Sequence, residues 1–461
     1  MVEPTAFSVA FYIAFGLLLA VGAYAWSIRD TGVGIPMGVV LCTVGVWYFG
    51  DALYNDYERY ALSIGPQYLD AAWWQVALFV VAFGVLAPIV HRAVNYKLLG
   101  QRSQFLRLMK QGGIENPEFQ RRLDVAARLL VLVWFFLMFI ALIRTNFNFT
   151  GLFAPFISGG VNPWSRGRVG GDWDALVSFA GYLQVMITAA LGIVAAISKN
   201  RKTRMTALLI LCLSLPSYFL GRTRSKMLAV ALPGFLAWIL LRLKGGLLVR
   251  FLVVLVAFFI VEGWMKFVVD ARSKTNIALL FSELGVGGVV NRVEEIETHH
   301  AGLNMFEELS LINSFIDKGT YAVNFGQRYF AELVNPIPRG LWKDKPMIGI
   351  DYAIARGQLW GGQREGEGGV GATISTGMIG QGVVNFGTFF GVLAAAFLMA
   401  FWVAILARQD LKGEKMGRML LFFIGCVLTF NMGRDVTLLV LYPFVFGYVL
   451  LVIWAKFSGD R

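Results

Sequence analysis

Eleven runs of predominantly apolar residues fill nearly half of this chain, and they restrict its fold more than any other feature. They lie near 6–26, 33–50, 72–90, 126–144, 174–197, 205–220, 227–243, 250–269, 377–406, 419–431 and 436–455. A helix needs about 20 such residues to cross the hydrocarbon core of a bilayer. The runs at 205–220 and 419–431 are shorter than that. Only 15% of the residues are charged, against about 25% in soluble domains. The sequence therefore predicts an all-α integral membrane protein with about 11 transmembrane helices.

The first run begins close to Met1 with no basic stretch before it and no small-residue cleavage site after it, so it is expected to persist as a helix. Cys42, Cys212 and Cys426 all fall inside apolar runs without Cys-x-x-Cys spacing, and read as small core residues. The net charge of +12 would suit nucleic acid, but the basic residues cluster at helix ends. There they set topology and meet anionic lipid, so no nucleic-acid partner is expected.

The same residues orient the chain. Alternate loops at 91–128, 199–204, 242–250 and 408–418 are crowded with Lys and Arg. The opposite loops, leaving out one long loop, carry only Arg59, Arg144, Arg166, Arg168, Arg222, Arg224, Lys226 and Arg434. Positive charge stays on the cytoplasmic side. The N-terminus and the long loop are thus expected outside and the C-terminus in the cytoplasm. Residues 91–128 read as a basic surface helix, with Leu98, Phe105, Leu106 and Leu108 as a lipid-facing anchor. The outer loop 51–70, with Asp51, Asp56, Glu58, Asp70 and four tyrosines, reads as an interfacial aromatic belt or a sugar-stacking rim.

The long loop, 270–376, divides the chain into an N-terminal bundle part (1–269), an extracytoplasmic loop, and a C-terminal bundle part (377–461). Loops of that length are uncommon and usually functional. Its residues 277–290 are apolar but too short to span, which suits a re-entrant or interfacial segment. Val290, Val293 and Ile296, and again Phe306, Leu309, Ile312 and Phe315, recur at helical spacing. A third helix is predicted from Tyr321 to Leu333, closed by Pro336 and Pro338. Polar faces are assigned to Glu294, Glu295, Glu297, Glu307 and Glu308. The expected loop is a small helical lid over the mouth of the bundle.

Arginines dominate the candidate chemistry. Gly221-Arg222-Thr223-Arg224-Ser225-Lys226 places three cations at the outer end of a short helix pair. Guanidinium forks bind phosphate oxygens in pairs, so this segment suits a lipid-linked diphosphate; headgroup snorkelling and an internal salt bridge are the alternatives. Arg434 beside Asp435 follows the same logic, and Arg272 and Lys274 are further phosphate contacts. Arg339 sits with Lys343 and Lys345 in a Pro-rich turn that fixes its backbone. Candidate general bases are His299, His300, Glu307, Glu308, Asp351, Glu365 and Glu367, with Tyr352 beside the site. Adjacent histidines point different ways on a helix, so at most one of that pair faces a site. No His-x-x-x-His or cysteine pair offers a metal site, and the glycines of 361–387 form no P-loop. The expectation is a site without metal or cofactor, in which arginine neutralises phosphate.

The Gly-Arg-Thr-Arg-Ser segment at 221–225, the turn at 338–346 and the segment ending in Asn385-Phe386-Gly387 together resemble bacterial oligosaccharide repeat-unit polymerases, the Wzy type of O-antigen, capsule and exopolysaccharide synthesis. The resemblance covers mainly residues 205–400. It implies a GT-C-like, metal-independent glycosyltransferase of the bacterial inner membrane, joining repeat units carried on undecaprenyl diphosphate. Donor and acceptor lipid-linked oligosaccharides, the bilayer, a flippase and a chain-length regulator would be its partners. Arg222 or Arg224, and Arg339, would be the family arginines. A glycan ligase using the same donor, and a polysaccharide or lipid transporter, are the competing readings.

Overall fold

The computed structural model describes residues 7–110, 113–153, 163–164, 174–220, 224–273, 304–334, 337, 341–342, 345–346, 350–356, 374–434, 436 and 438–457. Among them every regular element is helical. The helices are α1 (Val9–Ser27), α2 (Gly34–Tyr54), α3 (Tyr57–Ser63), α4 (Pro66–Val94), α5 (Gln104–Lys110) and α6 (Pro117–Arg144). They continue with α7 (Phe149–Phe153), α8 (Asp174–Ile197), α9 (Arg201–Leu220), α10 (Arg224–Leu241), α11 (Leu247–Ser273) and α12 (Met305–Asp317). The last six are α13 (Gln327–Val334), α14 (Ile350–Ala355), α15 (Gly377–Phe386), α16 (Phe390–Leu411), α17 (Met416–Met432) and α18 (Leu438–Phe457).

Six of these helices are long and apolar enough to cross a membrane: α1, α2, α4, α6, α8 and α16. Shorter apolar stretches lie in α10, α11, α17 and α18. The described residues are therefore all-α, consistent with a membrane protein.

Start and stop signals are local. Pro66 opens α4, where its missing N–H costs nothing, directly after Gly65 with its positive φ of 115°. Asn116 accepts a hydrogen bond from the Glu118 backbone N–H and so caps α6. A single π-helical turn, Gly45–Phe49, interrupts α2 and buries Trp47, Tyr48 and Phe49 together.

The chain forms two compact units that interleave along the sequence. The first takes residues Met1–Ser103, Gly302–Lys412 and Leu428–Leu441. In it α4 packs along both α1 and α16, while α12 sits among α2, α4 and α15. Phe306, Leu309 and Ile312 of α12 are fully buried, as their spacing predicts. Half of the remaining α12 residues are buried as well, among them Glu308, Ser310, Asn313 and Ser314. Helix α12, one part of the expected lid, thus packs inside this unit. Two other expectations change with it. Glu308 leaves the polar face assigned to it, and Asp51 leaves the outer rim, because each carboxylate is buried among donors.

The run 377–406 is not one helix. Gly387 adopts φ +81 and ends α15, and the chain turns at once into α16. A left-handed residue just past a helix end is the usual stop, and glycine meets it without a Cβ penalty. The two helices then touch backbone to backbone: a Cβ on Gly382 would collide with the carbonyl of Gly391, and the reverse holds. With 10 residues, α15 is about 15 Å long and too short to cross a bilayer.

The second unit takes Gln104–Ala301, Gly413–Val427 and Tyr442–Arg461. Here α8 packs on α10 through Gly192 and Gly234, small residues that let two helix backbones approach closely. The Trp134 indole donates to Ser214 Oγ at 3.1 Å and ties α6 to α9. Phe105 of α5 packs on Phe422 and Phe423 and is 5% exposed, so this member of the expected lipid anchor faces protein instead. The predicted segments at 277–290 and around Val290–Ile296 lie outside the described residues.

Candidate functional site

The first unit brings most of the described part of the long loop into a defined setting, and α12 is what anchors it. The free N–H groups that open a helix need acceptors. Asp51 supplies one: its Oδ2 accepts from the backbone N–H of Phe306 at 2.7 Å and of Glu307 at 3.1 Å. Its Oδ1 accepts from Asn55 Nδ2 and the Tyr60 hydroxyl at 2.7 and 3.1 Å. Further along α12, Asn313 and Gln75 of α4 exchange amide hydrogen bonds at 2.8 and 3.0 Å. Phe306 stacks on Trp73 with ring centroids 4.2 Å apart. The Tyr48 hydroxyl accepts from the Ile379 N–H at 2.9 Å and satisfies the start of α15 in the same way.

Held like this, α12 presents Glu308 to the short helix α14. The Tyr352 hydroxyl donates to Glu308 Oε2 at 2.6 Å, and Arg356 Nη2 donates to Oε1 at 3.0 Å. Asn304 Nδ2 adds a third donor at 3.3 Å. Glu308 is 1% exposed and Arg356 29%. Burial raises the Glu308 pKa above the ordinary carboxylate value, with Arg356 and the Tyr352 hydroxyl pulling against it. Burial, then the nearby Glu308 charge, raises the Tyr352 phenol.

A second pair lies one residue away. The Tyr321 hydroxyl donates to Asp351 Oδ2 at 2.6 Å, with Asn324 Nδ2 3.4 Å from the same oxygen. Asp351 stays exposed, while burial followed by this hydrogen bond raises the Tyr321 phenol. The Tyr321 and Tyr352 rings meet edge to face at 5.9 Å, so the two carboxylate–phenol pairs form one cluster.

Arginines adjoin it. Arg328 of α13 is buried and donates to the Ile374 carbonyl at 3.4 Å, and its charge acts on both phenols. Arg434 is exposed and donates from Nε to Ser375 Oγ at 3.1 Å. Its own carbonyl accepts from the Gly377 N–H at 2.9 Å. The segment 374–377 therefore links the two guanidinium groups.

Of the residues expected from sequence, Glu307, Glu308, Asp351, Tyr352, Lys345 and Arg434 have described side chains, all in the first unit. Tyr352 is fully buried, with its hydroxyl given to Glu308. Lys345 donates to the Ile337 carbonyl at 2.8 Å and closes the Pro-rich turn. Arg222, Lys274, His299, His300 and Arg339 lie outside the described residues, as do the side chains of Arg224, Lys226 and Arg272. Sequence reasoning missed Arg328, Arg356 and Tyr321. Arg356 ends the Asp351-Tyr352 stretch, but its partner is 48 residues away, beyond the reach of any local spacing.

No protein-family model, curated protein or solved structure matches the chain.

Proposed function

We propose that the protein is a membrane glycosyltransferase that polymerises undecaprenyl-diphosphate-linked oligosaccharide repeat units at the outer face of a bacterial inner membrane. The proposal includes about eleven spans in a GT-C-like arrangement, with the long loop outside. The observation that carries it is an exposed carboxylate, Asp351, oriented by Tyr321 and set beside the Glu308–Arg356 pair. Such a group can accept a proton from a sugar hydroxyl while neighbouring guanidinium groups meet the charge of a departing diphosphate. The resemblance of the 221–225, 338–346 and 381–387 segments to repeat-unit polymerases supports the same reading.

In this mechanism the acceptor hydroxyl attacks the anomeric carbon of the donor, and its proton passes to Asp351. The bond between that carbon and the diphosphate oxygen breaks, and the electron pair leaves with undecaprenyl diphosphate. Arg434 takes the diphosphate charge. Glu308 and Tyr352 hold Arg356 and the α14 backbone in place. The test is purified protein in proteoliposomes supplied with one lipid-linked repeat unit. A ladder of longer glycans, lost in Asp351→Asn and Arg434→Ala, is expected. Product only when a second, different acceptor is added would make the protein a ligase. Movement of unmodified lipid across the bilayer, with no new glycosidic bond, would make it a transporter.

A further inference from the structure

Helix α13 buries both of its charged residues and exposes its bulkiest apolar ones. A helix facing water buries its apolar stripe and exposes its charges. In α13 the charged Arg328 and Glu332 are 3% and 4% exposed, whereas Phe330 and Leu333 are 49% and 67% exposed. The apolar face extends past the helix at both ends. Phe325 is 86% exposed and Leu341 83%. Phe325 holds φ +49, a region an aromatic residue rarely adopts, and its ring still points outward. The Trp342 indole, an amphipathic ring favoured at membrane surfaces, meets Phe330 edge to face at 6.3 Å.

The helix cannot roll this face inward. The backbone N–H groups of Asn324 and Gly326 donate to the carbonyls of Val384 and Asn385 at 3.1 and 3.2 Å. The Tyr329 N–H donates to Asn385 Oδ1 at 3.2 Å. These bonds fix α13 to the end of α15, four residues before the membrane-crossing helix α16 begins. Phe390, the first residue of α16, is 70% exposed, and Phe397 and Phe401 further along it are exposed too. Exposed rings thus run on from Phe386, which meets Tyr329 of α13, through Phe389 and Phe390 to the start of α16. At 8 residues α13 is about 12 Å long, so it cannot cross the bilayer itself.

We infer that α13 lies in the plane of the membrane at the headgroup–acyl boundary, with Phe325, Phe330 and Leu333 in contact with phospholipid acyl chains. The arrangement is that of an interfacial helix, inverted so that its charges point into the protein. It requires the membrane helices and no assignment of catalytic activity.

The test uses the full chain with Cys42, Cys212 and Cys426 replaced by serine, in phosphatidylethanolamine–phosphatidylglycerol vesicles free of polyprenyl lipid. A nitroxide is attached in turn at Phe330→Cys, Leu333→Cys and the exposed polar position Lys318→Cys, each variant first shown to be monodisperse. Collision rates are read with oxygen, which partitions into acyl chains, and with a neutral nickel chelate, which stays in water. At 330 and 333 oxygen collisions should exceed nickel collisions several-fold, at a depth of about 5–10 Å, with the reverse at 318. Leu333→Cys alters a more exposed side chain than Phe330→Cys and serves alone should the latter not fold. Nickel exceeding oxygen at 333 would overturn the inference by placing the face in water. Low rates with both reagents would also overturn it, because a second copy or another protein would then cover the face.

Discussion

The carboxylate of Asp51 accepts the backbone N–H of Phe306 at 2.7 Å across 255 residues of sequence. This contact fixes the described part of the long loop to the second helix of the chain. Its removal should loosen α12. Caps of this kind are worth about 1 kcal/mol, and orphaning buried donors costs about 1–3 kcal/mol. Asp51→Ala should therefore lower the thermal unfolding midpoint of purified protein clearly. Asp51→Asn, which keeps an acceptor oxygen, should lower it less, and equal losses in the two variants would contradict the cap.

Glu308 gives a dependence on pH. Burial raises its pKa, so the folded protein retains a proton there that the unfolded chain has already released. Stability from this group is full below the ordinary carboxylate value and is lost as pH rises through the raised folded value. Glu308→Gln cannot ionise and should flatten that part of a midpoint-against-pH curve. Parallel curves for the two proteins would rule this out.

The Gly382–Gly391 contact should tolerate no side chain. Gly382→Val must push α15 away from α16, and overpacking of this kind costs about 1–3 kcal/mol. The same substitution at Gly16, which has nothing within 4 Å of an added Cβ, is the control and should leave the midpoint nearly unchanged.

Under the proposed function, Asp351→Asn should reduce polymer formation by about 10²–10⁴-fold, the range for loss of a general base. Tyr321→Phe removes the hydrogen bond that orients Asp351, with a longer one from Asn324, and should cost less. Because Asp351 is exposed, its variant should keep the wild-type unfolding midpoint. Lost polymer with a lowered midpoint would point to misfolding instead.

The apolar runs located the helices because length and hydropathy are local properties, and the spacing of Phe306, Leu309 and Ile312 located α12 for the same reason. What could not be read locally was the fate of charge. Glu308 sits on a helix whose apolar stripe is obvious, yet its burial depends on Tyr352 and Arg356, which lie 44 and 48 residues on. Phe105 looked like an anchor among basic residues, and its partners Phe422 and Phe423 are in another part of the chain. The break at Gly387 was legible in principle, since a glycine after Asn385-Phe386 is a stop signal. The continuous apolar character on both sides hid it.

The Asp51 contact also sets an order in time. A ribosome adds about 5–20 residues per second, so roughly ten to fifty seconds of synthesis separate Asp51 from Phe306. Through that interval the second helix carries a carboxylate whose two backbone donors have not yet been made. Nearly all of the second unit, from Gln104 to Ala301, is produced in the meantime. The first unit is begun early and can be locked only late.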